Sequence, residues 1–115
     1  MKIAIESNDG VTIKSPFLPT RGYVVYDVNE SDIVGTEYRE SSAQREMVKK
    51  NKPLEEKKNT ILTDCSAIIT RGMDRSNVDI FKKEGMDVFI TFKTSTKDAV
   101  KLYMKELLVS HTLTH

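Results

Sequence analysis

Cysteine, histidine and tryptophan are scarce in this 115-residue sequence: there is one cysteine, two histidines and no tryptophan. A lone Cys65 excludes an intramolecular disulfide and fits a reducing compartment, so the expected location is the cytoplasm. Both histidines, His111 and His115, stand in the tail, and i, i+4 spacing in a frayed tail makes a poor metal site. No apolar run approaches the roughly 18 residues of a membrane span. The opening Met1-Lys2-Ile3-Ala4-Ile5-Glu6 is too short and too charged for a signal peptide and reads as a first strand. Net charge is also nearly absent, at +1, so no global field recruits nucleic acid or an anionic membrane, and neither is expected as a partner. What remains is ordinary: 38% hydrophobic and 30% charged residues support a soluble globular core. The length suits one domain, expected over residues 1–109 with a flexible tail at 110–115.

Strand and turn chemistry dominates the first third. Residues 2–6 form a short β-prone run ending in the turn cluster Ser7-Asn8-Asp9-Gly10. A short extended piece at 11–14 follows, and Pro16 and Pro19 then bar regular structure until about Thr20. Residues 23–28 are strongly β-prone. After a turn at 29–32, residues 33–39 return as a third strand with Val34, Thr36 and Tyr38 on one face. Residues 41–52 are polar, with Ala43, Met47 and Val48 at helical spacing and Ser41 with Gln44 as a capping box. Pro53 interrupts this helix, and Leu54, Ile61 and Leu62 continue a thin apolar stripe. Lysine pairs at 49–50 and 57–58 are interleaved with Glu46, Glu55 and Glu56, which makes them a solvated face rather than a nucleic-acid arm.

The second half alternates. Residues 66–70 are a buried-strand candidate, and Arg71-Gly72-Met73-Asp74-Arg75 is a loop. A helix opens at Ser76, with Asp79 at capping-box spacing, and Gly85 stops it. Residues 87–92 form the last strand. Ser95 and Asp98 cap a final helix that buries Ala99, Val100, Tyr103, Met104 and Leu107. The order β-β-β-α-β-α-β-α, a meander followed by right-handed crossovers, predicts an α/β fold with a mixed five-stranded sheet in the order 3-2-1-4-5.

In such a sheet the first and fourth strands are parallel neighbours whose connections diverge, leaving a crevice at their carboxyl ends. Asn8, Asp9 and Gly10 come from one side, and Arg71, Gly72, Met73, Arg75 and Ser76 from the other. Glycines admit a ligand close to the backbone, a helix start offers free N–H groups, and the arginines add charge. The sum is a candidate anion-binding site; well-made turns and caps are the bland alternative.

The residues also resemble a known family. Residues 1–5 followed by Asn8-Asp9-Gly10, then Tyr26-Asp27-Val28, then Cys65-Ser66-Ala67-Ile68-Ile69 with Gly72-Met73, and the stretch from Gly85 to Leu107 are similar to the dinitrogenase iron–molybdenum cofactor biosynthesis family (NifX type, and the C-terminal domain of NifB). The resemblance implies a ribonuclease-H-like fold. It also implies a non-catalytic accessory role in binding or carrying an anionic metal–sulfur cluster, of iron–molybdenum cofactor type, with cluster donor or acceptor proteins as partners. A monomer or weak homo-oligomer is expected. Where the family often has His-Phe-Gly this chain has Pro16-Phe17-Leu18, and the Gly-Gly-Met-Gly turn becomes Arg71-Gly72-Met73-Asp74. Imidazole ligation is therefore not expected in the body of the domain. Among soft ligands, Cys65 lies at the wrong end of its strand and reads as a small buried hydrophobe, while Met73 sits in the crevice loop. Two rival functions remain at this level. A metal-dependent nuclease needs converging carboxylates, for which Glu6, Asp9 and Asp74 are the candidates. A regulatory or interaction domain needs no cluster at all.

Overall fold

The computed structural model describes residues 1–40 and 60–113, with the side chains of 1–40 and 61–107. Strands β1 (Lys2–Glu6), β2 (Gly22–Val28) and β3 (Ile33–Glu40) precede a 3₁₀ turn (Thr60–Leu62). Then come β4 (Ala67–Thr70), α1 (Arg75–Lys83), β5 (Asp87–Ile90) and α2 (Thr96–Leu113). The sheet order is β3-β2-β1-β4-β5, with β1–β2 and β2–β3 antiparallel and β1–β4 and β4–β5 parallel. This is the expected mixed α/β sheet, and it is compatible with the ribonuclease-H-like label. The helix expected at 41–52, with its Ser41–Gln44 cap, lies outside the described residues.

The central strands are buried on both faces, which is why β1, β2 and β4 are almost wholly apolar. Ile3, Ile5, Val24, Tyr26, Ala67 and Ile69 pack under Ala99, Val100 and Tyr103 of α2. Ala4, Tyr23, Val25 and Ile68 face the other way, against Phe81 of α1 and the Leu62, Cys65 and Met86 side chains. Each fully buried isoleucine contributes about 1.5–3 kcal/mol of transfer free energy. The β3 edge is wetter: Val34 and Tyr38 are exposed on the shared face that the alternation predicts. No described helix is long and apolar enough to cross a membrane.

Strands β2, β3 and β4 each differ by one residue at one end from the sequence reading, and three further boundaries differ for reasons the structure shows. Helix α1 opens at Arg75, with Asp74 in place of Ser76 as an extended N-cap that makes no side-chain capping bond. Ser76 and Asp79 therefore both lie inside the helix, and their expected capping box does not form. Strand β5 ends at Ile90, because its neighbour β4 ends at Thr70; the Thr91 N–H makes the last link to the Thr70 carbonyl at 3.0 Å. Beyond that link Phe92 stands out in solvent. Helix α2 continues past residue 109 to Leu113. The stop read from Gly85 and the start read from Ser95 hold. Gly85 adopts φ +86° after α1. Ser95 Oγ accepts the Asp98 N–H at 3.3 Å at the start of α2.

Candidate functional site

Parallel pairing of Ile5 with Ile69 brings Glu6 and Thr70 side by side where β1 and β4 end. Beyond them the chain departs in opposite directions, into the 7–12 turn and toward α1, and a cavity of about 590 Å³ opens there. Such a split between strand ends is where α/β sheets commonly hold ligands, and the volume falls in the usual range for small-ligand pockets.

The Glu6 carboxylate in its floor is buried and held by hydroxyls from both sides. Thr70, with no exposed surface, donates its hydroxyl to Glu6 Oε1 and accepts the Gly72 N–H at 3.1 Å. The Thr20 hydroxyl donates to Glu6 Oε2 at 2.9 Å. One carboxylate thus ties together β1, β4 and the segment entering β2. Its wall is residues 14–20, an irregular strap fixed by Pro16 and Pro19. The Lys14 N–H donates to the Glu6 carbonyl at 2.9 Å. The Lys14 ammonium turns back onto the strap and donates to the carbonyls of Ser15 (2.9 Å) and Leu18 (2.8 Å). Pro16 sits against Gly72, where an added Cβ would lie 3.2 Å from Pro16 Cβ. A larger residue than glycine at 72 would push the strap outward. Met73, Asp74 and Asn77 complete the opposite side.

The residues singled out from the sequence separate into two groups. Gly72 and Met73 line the cavity. Arg71 is at its edge in sequence, and its Nε is buried without a hydrogen-bond partner. Arg75 and Ser76 are exposed on the first turn of α1. Asn8, Asp9 and Gly10 are not among the cavity's lining residues; they build its support. Asp9 is the hub of the 7–12 turn, accepting from the Thr12 hydroxyl (2.7 Å) and from the N–H groups of Thr12 (2.7 Å) and Val11 (2.8 Å). Those bonds, the Thr12 hydroxyl foremost, hold its carboxyl well below the usual carboxylate range. Gly10 supplies the left-handed φ of +82° that the turn requires. Asn8 reaches to the strap, accepting the Arg21 N–H at 2.7 Å and donating to the Pro19 carbonyl at 3.1 Å. The turn itself leans on the start of α2: the Thr96 N–H donates to the Val11 carbonyl at 2.9 Å and the Ile13 N–H to the Thr94 carbonyl at 2.8 Å.

Soft-metal chemistry has little to work with. Cys65 is buried at the amino end of β4, opposite the cavity, and burial pushes its thiol up to about 11. Met73 serves partly as packing against the Ala4–Phe81 core. Among the described residues no group of three or more His, Cys, Asp or Glu side chains is placed to hold a metal ion, so Glu6, Asp9 and Asp74 do not form a nuclease-like cluster.

The sequence reading did not single out Lys14, the cavity role of Glu6, or the strap. Pro16 and Pro19 announced an irregular segment, but nothing local says that it folds across the strand ends. That follows from the Lys14 N–H bonding to Glu6, a contact eight residues long.

The family model described as dinitrogenase iron–molybdenum cofactor matches residues 1–106. The chain belongs to that family. Among solved structures, that of PH0822 has a TM-score of 0.71 at 18% identity, with 92% of each chain covered. The mj0327 protein of Methanocaldococcus jannaschii, provisionally described as a dinitrogenase, is similar in both its crystal structure and its NMR structure. The TM-scores are 0.63 and 0.65, each at 17% identity, over 92% of this chain and 89% and 88% of those. These likenesses are of fold. No curated protein matches the sequence.

Proposed function

We propose that this family member binds an anionic metal–sulfur cluster, of iron–molybdenum cofactor type or a precursor of it, in the cavity at the β1–β4 split. It carries the cluster between donor and acceptor proteins of the cytoplasm without chemical turnover. The observation that supports the reading most is the family match over residues 1–106, on a chain whose sheet opens into a cavity where both branches diverge. One group beside the cavity agrees. Arg71, next in sequence to the lining Gly72, has a buried Nε with no hydrogen-bond partner, and a ligand with acceptor atoms reaching it would satisfy that donor. Without a set of three ligating side chains among the described residues, the cluster is held through its outer atoms, with the Met73 thioether as the one soft contact in the wall.

The test is anaerobic incubation with isolated iron–molybdenum cofactor, gel filtration, and iron and molybdenum analysis of the protein peak. Co-elution of metal with protein is expected, and Arg71→Glu should lower it on the order of tenfold or more by reversing a charge next in sequence to the cavity-lining Gly72. Unchanged uptake in Arg71→Glu removes that arginine from the site. Absence of metal from the unaltered protein removes the carrier reading. That outcome favours an interaction domain, a reading supported by Phe17 and Phe92, which are 93% and 91% exposed.

A further inference from the structure

We infer that the outer edge of β5 is an interface for a second copy of this chain, which adds its own β5 antiparallel about a twofold axis at Phe89. β5 ends the sheet, and among the described residues no strand lies beyond it. Its ladder to β4 uses alternate residues: the Asp87 N–H donates to the Ser66 carbonyl and the Thr91 N–H to the Thr70 carbonyl, each at 3.0 Å. The N–H and carbonyl groups of Val88 and Ile90 therefore point the other way, out of the edge. Natural edges are usually blunted by charge, proline or a bulge. The opposite edge, β3, is blunted in this way: it carries Glu37, Arg39 and Glu40, and its register with β2 shifts beside Val28. Residues 88–92 carry no charge, no proline and no register shift against β4. Ile90 is instead 55% exposed, and Phe92 stands in solvent just beyond the last link.

The charges choose the occupant. Asp87 opens the apolar stretch, its Oδ2 held by the Tyr103 hydroxyl at 2.8 Å, and Lys93 follows it. Neither forms a salt bridge among the described residues. A parallel second copy would set aspartate beside aspartate. An antiparallel one sets each Asp87 diagonal to the other copy's Lys93, within reach of a long side chain. With the axis at Phe89, Val88 of each copy exchanges both backbone bonds with Ile90 of the other. Ile90 then covers the other copy's Val88 on the α1 side of the sheet, where Val88 already packs. The contact closes on itself as a dimer, and the antiparallel join leaves the two cavities at opposite ends of the doubled sheet. No ligand in the cavity is needed for it. A strand this short makes a small interface, so the dimer is transient, with a Kd on the order of 0.1 mM.

The test is sedimentation velocity of the full chain from about 10 μM to about 1 mM, with backbone amide exchange of ¹⁵N-labelled protein at both ends of that range. A mass rising toward that of a dimer is expected. Exchange at Val88 and Ile90 should slow at the higher concentration, while exchange along β3 stays the same. Ile90→Lys charges a side chain that is already exposed, so the fold is kept, and the dimer should weaken on the order of tenfold or more. Lys93→Asp sets like charges on the diagonal and should weaken it roughly threefold. The exchange measurement uses the unaltered protein and does not depend on either variant. The mass of a single chain throughout, or assembly beyond a dimer, overturns the inference. So does a dimer as tight as wild type in Ile90→Lys or Lys93→Asp, or protection that appears on β3 in place of Val88 and Ile90.

Discussion

Replacing Thr70 with valine tests whether the floor of the cavity is held by hydrogen bonds or by packing. The two side chains have nearly the same shape, so Thr70→Val opens no void. It removes a hydroxyl that, with no exposed surface, donates to Glu6 and accepts from Gly72 N. The bond to a carboxylate is worth about 1.5–3 kcal/mol, and stranding the Gly72 N–H adds roughly 1 kcal/mol, so the loss should total about 3 kcal/mol. For a domain of this size each kcal/mol moves the midpoint by about 4 °C, which predicts a fall of about 12 °C in thermal unfolding at neutral pH. The control is Thr70→Ser, which keeps the hydroxyl and gives up one buried methyl, a cost of about 1 kcal/mol. A packing-only view orders the variants the other way, since valine buries more apolar surface than serine. Urea denaturation of the three proteins decides between the two. A Thr70→Val protein as stable as wild type, or more stable than Thr70→Ser, would refute the account of Glu6 as the knot of the site.

The Asp9 and Asp64 carboxyls are both held well below the ordinary aspartate value, Asp9 chiefly by the Thr12 hydroxyl and Asp64 chiefly by Arg39. Depressed folded-state values give stability that is present above the unfolded pKa and lost as pH falls toward the folded one. Urea midpoints should therefore drop below about pH 4, and Asp9→Asn should flatten that drop while lowering stability at pH 7; an unchanged acid slope would contradict the turn's role. Cys65, buried with its thiol raised to about 11, should resist iodoacetamide at pH 8 in the native protein and react at once in denaturant. Mass spectrometry reads the difference, and rapid native labelling would show that the amino end of β4 opens. Cys65→Ala should leave cluster uptake unchanged by metal analysis, since the thiol lies at the end of the sheet away from the cavity.

Much of the fold was legible because its chemistry is local. Apolar runs of four to seven residues mark strands buried on two faces, and Gly85 and Ser95 mark helix ends through backbone needs that few other residues meet. Topology followed from chirality and short connections. The boundaries that moved were set by neighbours. β5 stops where β4 runs out of carbonyls, which no feature of Thr91 or Phe92 announces. Asp74 takes the N-cap position in place of the expected Ser76, and two capping residues two positions apart leave that choice to the path of the incoming loop.

The site was legible as a place more than as a set of residues. Asn8-Asp9-Gly10 carried the strongest local signature, but the strength came from the demands of a tight turn. A carboxylate that accepts three hydrogen bonds from its own loop has little left for a ligand, so a conspicuous turn sequence points to scaffolding. Lys14, buried in the cavity wall with its ammonium on the Ser15 and Leu18 carbonyls, carried no local signature at all. Nothing in Ile13-Lys14-Ser15 separates it from the other lysines, because its meaning arises only when a strap folds over the strand ends and takes water away from the ammonium. Whether the fold completes a group's hydrogen bonding is a property of the assembled structure: it completes that of Asp9 and Thr70, and leaves the buried Arg71 Nε without a partner, and neither outcome is written in the residues around them.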